Sequence, residues 1–333
     1  MKKRFLVGSL AVLILGLFGG KNATAQDAHF SQYFSAPLNL NPSLTGQFNG
    51  SVRAAGLYRT QWQALDYGSV FGLSVDTRKN GWGFGVSVVD MSSAAVTDFN
   101  YLNALGSVSY DLNYKRKSSN HFILGAQIGV VQKSVSTNRS TFGSQYIPGF
   151  GFDDDNDSGE DLGNPDAAAL DVNFGAFWFN GEPGRKYSPF LGVSAAHLNN
   201  PDLSFGAQED IIGVRLAGHG GVKVRVRQKL DITPHFQYLY HLNNPTDWIM
   251  GVNFAYGIVD TRTVLVGGLS YRWEDAAIPY VGLLYNDFQF GVSYDVNLSD
   301  LSEIGKNKNA VEFSLIYIRR KQKIEEKFIC PRL

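Results

Sequence analysis

From Ser51 onward, large apolar residues alternate with small or polar ones along segments separated by turn residues. Such a two-residue period places one set of side chains on each face of a strand, with no helical period sustained anywhere. Trp82, Phe84, Val86 and Val88 alternate with Gly83, Gly85 and Ser87. Phe288, Phe290, Val292, Tyr294 and Val296 alternate with Gln289, Gly291, Ser293, Asp295 and Asn297. Leu170, Val172, Phe174, Ala176 and Trp178 likewise oppose Asp171, Asn173 and Gly175. A soluble sandwich also alternates, but glycine and serine opposite the large residues fit a crowded lumen behind a lipid-facing wall. The fold class expected is therefore all-β, a transmembrane antiparallel barrel of about 14 strands and no long helix. The strands are expected near 50–60, 68–78, 81–90, 99–113, 121–134, 169–179, 187–197, 211–226, 229–241, 247–258, 262–273, 278–285, 288–298 and 310–320. Pro189, Pro234 and Pro279 fall near strand starts, where a missing amide donor does least harm, and are expected near the rims.

The connections follow strand parity. Those after even-numbered strands are short, for example Lys79-Asn80, Arg227-Gln228 and Asn286-Asp287, while the other set contains the long ones at 135–168, 198–210 and 299–309. Short periplasmic turns and long extracellular loops are the asymmetry of outer-membrane barrels, which places the mature N-terminus and the tail 321–333 in the periplasm. Residues 1–25 read as a cleaved secretory signal: Lys2, Lys3 and Arg4, then an apolar run to Gly20, then Ala23-Thr24-Ala25. The domain plan is thus 1–25 signal, 26–49 an extended N-terminal segment, 50–320 the barrel in the outer membrane, and 321–333 the tail.

Residues 26–49 differ from everything after them. The stretch QDAHFSQYFSAPLNLNPSLTG is aromatic and broken by Pro37 and Pro42, so it is expected to be neither helix nor sheet, with Ala36 and Asn41 in extended chain or turns. Phe30, Tyr33, Phe34, Leu38 and Leu40 give it an apolar surface, and a solvated tail rarely carries so many aromatics. The expectation is a plug that packs against the inner wall near the periplasmic mouth and helps close the pore.

Composition sharpens this picture in a few places. The chain is formally neutral, with 30 basic and 30 acidic side chains, which gives no argument for a nucleic-acid partner. Gly 36 and an aromatic share of 13% support β structure. The single cysteine, Cys330, cannot form an internal disulfide.

Four constellations carry candidate chemistry. Asp153, Asp154, Asp155, Asp157, Glu160 and Asp161 crowd the longest loop. Alternating carboxylates such as Asp153, Asp155 and Asp157 can wrap a hard cation, yet Ser158 and Asn164 stand where an EF-hand needs glycine and glutamate. A solvated acidic loop, or a partner-binding surface for a basic patch, are the other readings. Arg215, His219, Lys223 and Arg225 share one face of strand 211–226 and form a basic ladder in the lumen, with Asp171, Asp231, Asp295 and Glu312 as inward acids able to pair with it. Either an anion-selective constriction or an ion-pair network that fills the barrel follows. His219, His235 and His241 all have inward parity and no G-x-S-x-G elbow is present, so a lipid-facing Ser–His enzyme is not expected. No phosphate loop, Cys/His metal spacing or dinucleotide fingerprint occurs, and no cofactor is expected. Lys115-Arg116-Lys117 and the tail could touch a periplasmic partner, although most such runs are only solvated.

Gln26-Asp27, His29-Phe30-Ser31-Gln32-Tyr33, Asn39-Leu40-Asn41-Pro42, Gly46, and Tyr58-Arg59-x-Gln61-Trp62 at the end of the first strand form a pattern that resembles the PorP/SprF family of Bacteroidota. Ser43 stands where the family usually has alanine. The resemblance implies an outer-membrane accessory of type IX secretion, needed to secrete or anchor an adhesin-like cargo by binding its C-terminal sorting domain, with periplasmic secretion components as further partners. A diffusion porin or solute transporter is the alternative.

Overall fold

The computed structural model describes residues 29–61, 68–93, 98–116, 118–136, 145–147, 149–153, 166–204, 210–242, 246–258, 262–298 and 309–319. The expected signal at 1–25, the tail 321–333 with Cys330, and most of loop 135–168 lie outside them. Among the described residues, helices are single turns, at Tyr33–Ser35, Pro37–Leu40 and Pro42–Leu44.

Strands β1 (Val52–Gln61), β2 (Gly68–Lys79), β3 (Trp82–Ser93), β4 (Asp98–Asp111) and β5 (Asn120–Ser136) follow one another as neighbours. A two-stranded ribbon, β6 (Tyr146–Ile147) and β7 (Gly151–Phe152), stands apart in the longest connection. The wall resumes with β8 (Asp166–Asn180), β9 (Tyr187–Ala196), β10 (Arg215–Arg227), β11 (Leu230–His241) and β12 (Asp247–Gly257). It ends with β13 (Thr263–Arg272), β14 (Ala276–Tyr285), β15 (Phe288–Asn297) and β16 (Ala310–Arg319). Antiparallel pairing of β1 with β16 closes the barrel, with Val52 opposite Arg319 and Gln61 opposite Ala310. The wall therefore has 14 strands, as the alternation predicts.

Alternation sets the two faces. Phe84, Val86, Val281 and Leu283 point outward and are exposed, Val281 by 66%. Ser74, Ser87, Ser107, Ser109, Ser293 and Ser314 point inward and are buried. An outer face this apolar fits hydrocarbon, and the inner face carries the polar groups that hydrocarbon would not accept. The hairpin turns at Asn80-Gly81 and Asn286-Asp287 use positive φ at Asn80, Gly81 and Asn286, as tight two-residue turns require.

The prolines sit deeper than expected. Pro189 is the third residue of β9, but Pro234 and Pro279 lie inside β11 and β14. Each keeps one neighbour, Pro234 opposite Val252 and Pro279 opposite Leu269, while pairing on the other side breaks off around it. The missing N–H is thus accommodated by a one-sided gap in the ladder rather than by a place at the rim.

Candidate functional site: the occupied lumen

The N-terminal segment runs along the inside of the barrel. Its two prolines, read from the sequence as excluding helix, each begin a single helical turn. The first helical position needs no N–H and suits the fixed φ of proline, which is why both turns start there. Asn41 between the turns is extended (φ −161°, ψ 124°), as expected before a proline, and its side chain accepts from the Ser43 N–H. The turns fold the segment into a compact rod about which the wall closes.

One end of the rod is held in the long-loop half of the barrel. The backbone N–H groups of Ser31 and Gln32 donate to the two carboxylate oxygens of Glu312, both at 2.8 Å. Ser31 Oγ donates to Asp295 (2.7 Å) and accepts from Arg59 (2.5 Å) and Arg272 (2.6 Å). Arg59 also bridges to Asp295 (3.0 Å) and Glu312 (3.4 Å), and Arg272 to Asp295 (3.1 Å) and Asp275 (2.7 Å). Arg59, Arg272, Asp295 and Glu312 are all buried, and their two positive and two negative charges cancel. Buried charges persist only when paired and hydrogen-bonded in this way. Gln32 completes the clamp through Ser293, Ser314 and the Glu312 carbonyl.

The other end is held at the short-turn end. Gly46 N donates to Asp76 (2.6 Å), and Arg53 forks onto the same carboxylate at 2.9 and 2.7 Å while donating to the Leu44 carbonyl at 3.0 Å. Gly46 has φ +72°, and an added Cβ would lie 2.8 Å from the Cα of Gly83, so only glycine fits there. Arg53 and Arg59 stand six residues apart on one face of β1, about 20 Å at strand rise. A single strand thus carries a cationic anchor for each end of the rod.

Between the anchors the rod meets aromatic and polar lining. Tyr33 OH lies 2.5 Å from His235 Nδ1, and Phe34 sets its ring edge-on to His235 and Tyr280. Gln127 donates to the Leu38 carbonyl (2.9 Å) and Ser194 to the Leu40 carbonyl (3.0 Å). The Asn41 amide nitrogen is 3.1 Å from the carbonyls of Ala176 and Val193 and from His219 Nε2. Tyr33, Leu40 and Leu44 pack with Ile123, Phe177, Phe179 and Phe190, and Phe30 packs with Leu57 and Val89. Asn41→Ala should cost about 1–3 kcal/mol, because it leaves buried polar partners unmatched. A lowered urea midpoint for the protein folded in vesicles checks this.

Six of the inward glycines are seats for the rod. A Cβ at Gly72 would meet the Phe30 ring, at Gly83 the Thr45 carbonyl, and at Gly85 the Leu38 side chain. At Gly125 it would overlap the Pro42-Ser43 backbone, at Gly175 the Asn41 side chain, and at Gly291 the Gln32 amide. The alternation of glycine with large outward residues records this close approach.

Of the residues singled out from sequence, Phe30, Tyr33, Leu38 and Leu40 are buried in the lumen and Phe34 is half-buried. They are not confined to the mouth at the short-turn end, since Ser31 lies at the level of Arg272, the last residue of β13. The basic ladder does not converge on one constriction. His219 is fully buried, stacked on Phe177 and against Asn41, while Lys223 and Arg225 pair with Asp231 (3.0 and 3.1 Å) near the short-turn end. Arg215 is half-buried. Asp171 pairs with His197 (3.0 Å), and Asp295 and Glu312 serve Arg59 and Arg272, so three of the four inward acids do not pair with the ladder. Of the acidic loop, Asp153 is described and its N–H donates to the Gln145 carbonyl; Asp154, Asp155, Asp157, Glu160 and Asp161 lie outside the described residues. Among the described residues no group of three His, Cys, Asp or Glu side chains could hold a metal ion.

The family profile described as "Type IX secretion system membrane protein PorP/SprF" matches residues 22–317, nearly the whole chain. The chain belongs to the PorP/SprF family. It is therefore a membrane component of type IX secretion, and its barrel places it as an integral protein of the outer membrane. No curated protein sequence is significantly similar. Among solved structures, the "CymD monoaromatic hydrocarbon channel" matches with a TM-score of 0.51 at 11% identity, covering 87% of this chain and 94% of that one. A "TodX monoaromatic hydrocarbon channel deltaS2 mutant" matches at 0.52 and 12% identity, covering 86% and 94%. At such identities the likeness is one of fold. PorP/SprF membership describes a secretion-system membrane component, and neither that family nor the outer-membrane barrel is an enzyme class.

Proposed function

We propose that this PorP/SprF protein is a closed barrel that serves type IX secretion as an anchor, docking the C-terminal sorting domain of a secreted, adhesin-like cargo on its long loops. The short-turn end faces the periplasm and the secretion machinery. The observation that carries the reading is the lumen clamped from Ser31 to Gly46 at both ends, which leaves the barrel's outer surfaces rather than a bore for function. A diffusion porin would need that lumen open, and the hydrocarbon channels of similar fold supply no side chain of this one.

The loop around 150–162, rich in carboxylates, is the candidate cargo contact. Deleting 150–162 should abolish display of the partner cargo at the cell surface while the barrel still folds and resists extraction. Undiminished display would remove the loop from the mechanism. In planar bilayers the intact protein should pass little steady current; large steady conductance would reinstate the porin.

A further inference from the structure

Among the described residues the exposed charge of the barrel is divided between its ends, although the chain as a whole is neutral. Lys79, Lys115, Arg116, Lys186, Lys229 and Arg319 are all exposed at the short-turn end. The exposed acid there among the described residues is Glu182, which pairs with Arg185 at 3.0 Å. At the long-loop end the exposed charges among the described residues are acidic, including Asp166, Asp202 and Glu274. Solubility in water would not require this sorting on a protein whose middle lies in hydrocarbon.

Several of these basic side chains also sit on the lipid side of the wall. Lys79 follows the outward run Phe71, Leu73, Val75 and sits opposite Trp82 across its hairpin. Lys186 lies over the exposed ring of Tyr187, 5.3 Å from its centroid. Lys115 and Arg116 follow the exposed Tyr114, and Arg319 continues the outward face of Phe313 and Leu315. Tyr256 and Tyr285, both exposed, complete an aromatic girdle at that end. Such a girdle marks the depth of the headgroups. Lys79 and Arg319, with outward parity, and Lys186 over an outward ring stand directly beyond the girdle at the height of lipid phosphates, turned away from a soluble partner at the mouth.

We propose that the short-turn end of the barrel binds anionic phospholipids, the basic side chains contacting their phosphates and headgroup charge from the leaflet beside those turns. The aromatic rings order the acyl–headgroup boundary, and lysine and arginine supply attraction of about 1 kcal/mol each near a charged surface. In the orientation proposed above, that leaflet is the periplasmic one.

Tryptophan positions allow an end-resolved test. Trp82 and Trp178 lie toward the short-turn end, Trp248 and Trp273 at the long-loop end. Two reporters are made in the full chain, one carrying W62F, W248F and W273F, the other W62F, W82F and W178F. Each is folded into vesicles mixing phosphatidylcholine with phosphatidylglycerol, one of the two lipids brominated to quench nearby indoles. The expected result is preference for phosphatidylglycerol of about fivefold at the short-turn reporter, the factor corresponding to 1 kcal/mol. No preference is expected at the other reporter. Lys79→Gln, Lys115→Gln, Arg116→Gln, Lys186→Gln, Lys229→Gln and Arg319→Gln together should bring the first value to unity, as should high salt through screening. Equal quenching by both lipids at both ends would overturn the proposal and leave the rim for an acidic protein partner. Both leaflets of these vesicles have the same composition, so the outcome does not depend on which way the barrel is inserted; failure here and failure of the anchor reading remain distinguishable.

Discussion

Arg59→Ala is expected to destabilise the folded protein by about 3–5 kcal/mol, the range for removing one partner from a buried, hydrogen-bonded ion pair. Its guanidinium touches Ser31, Asp295 and Glu312 at once, and Glu312 is fully buried. Without it, Arg272 alone faces two inward carboxylates, one of which also holds the Ser31 and Gln32 amides. Water must then enter to hydrate them, and entry requires residues 29–32 to lift away. The variant should therefore show new protease cleavage around His29–Phe34 and intermittent current in bilayers, with the wall still closed through β1 and β16. Arg59→Lys keeps the charge but loses the fork that reaches three partners, so it should fall between the two. Unchanged cleavage and a loss of stability under 1 kcal/mol would show that the ion cluster does not hold the segment.

Much of this arrangement was legible in the sequence. Trp82 to Val88 and Phe288 to Val296 contain enough alternation to set the strand faces, because lipid outside and a crowded lumen inside demand opposite side chains at adjacent positions. The parity of the turns ordered the strands. The clamps were harder to see. Arg53 and Arg59 stand in a strand whose inward set, Arg53, Ala55, Leu57 and Arg59, mixes charge with apolar residues, and the motif Tyr58-Arg59-x-Gln61-Trp62 registers only as a family signature. Arg53 meets Asp76 on the neighbouring β2, but the partners of Arg59, Asp295 and Glu312, lie more than 230 residues away in sequence, and only closure of β1 on β16 brings them near. Spacing along a chain cannot report such a meeting. One signal was present, since an arginine with inward parity in a membrane wall needs a carboxylate, and the inward acids offered candidates. The helical turns at Pro37 and Pro42 went unread for a different reason. A proline breaks a helix interior yet starts a helix well, and four residues are too few for periodicity to tell those cases apart.

Removing residues 29–46 should open the barrel. Eight-stranded barrels are filled by their own side chains and those of 16 or more strands enclose water, so a wall of 14 strands has room that the segment occupies here. The ladders close without it, and the carboxylates it covers would be hydrated in an open lumen rather than stranded. The truncated protein should thus fold, withstand detergent extraction as a barrel and give sustained conductance. Gly125 then separates a seated segment from one that merely lies nearby. A Cβ at Gly125 would overlap the backbone of Pro42 and Ser43, so Gly125→Val in the full chain should cost about 1–3 kcal/mol by overpacking. In the truncated barrel the same change meets open space, and valine in a strand should be neutral or stabilising by about 0.5–1 kcal/mol. The difference is the coupling between β5 and the segment, measured by unfolding the four proteins in one vesicle composition. Equal costs in the two backgrounds would mean that the segment does not press on Gly125 in the folded protein, and the glycines of the lumen would then need another cause.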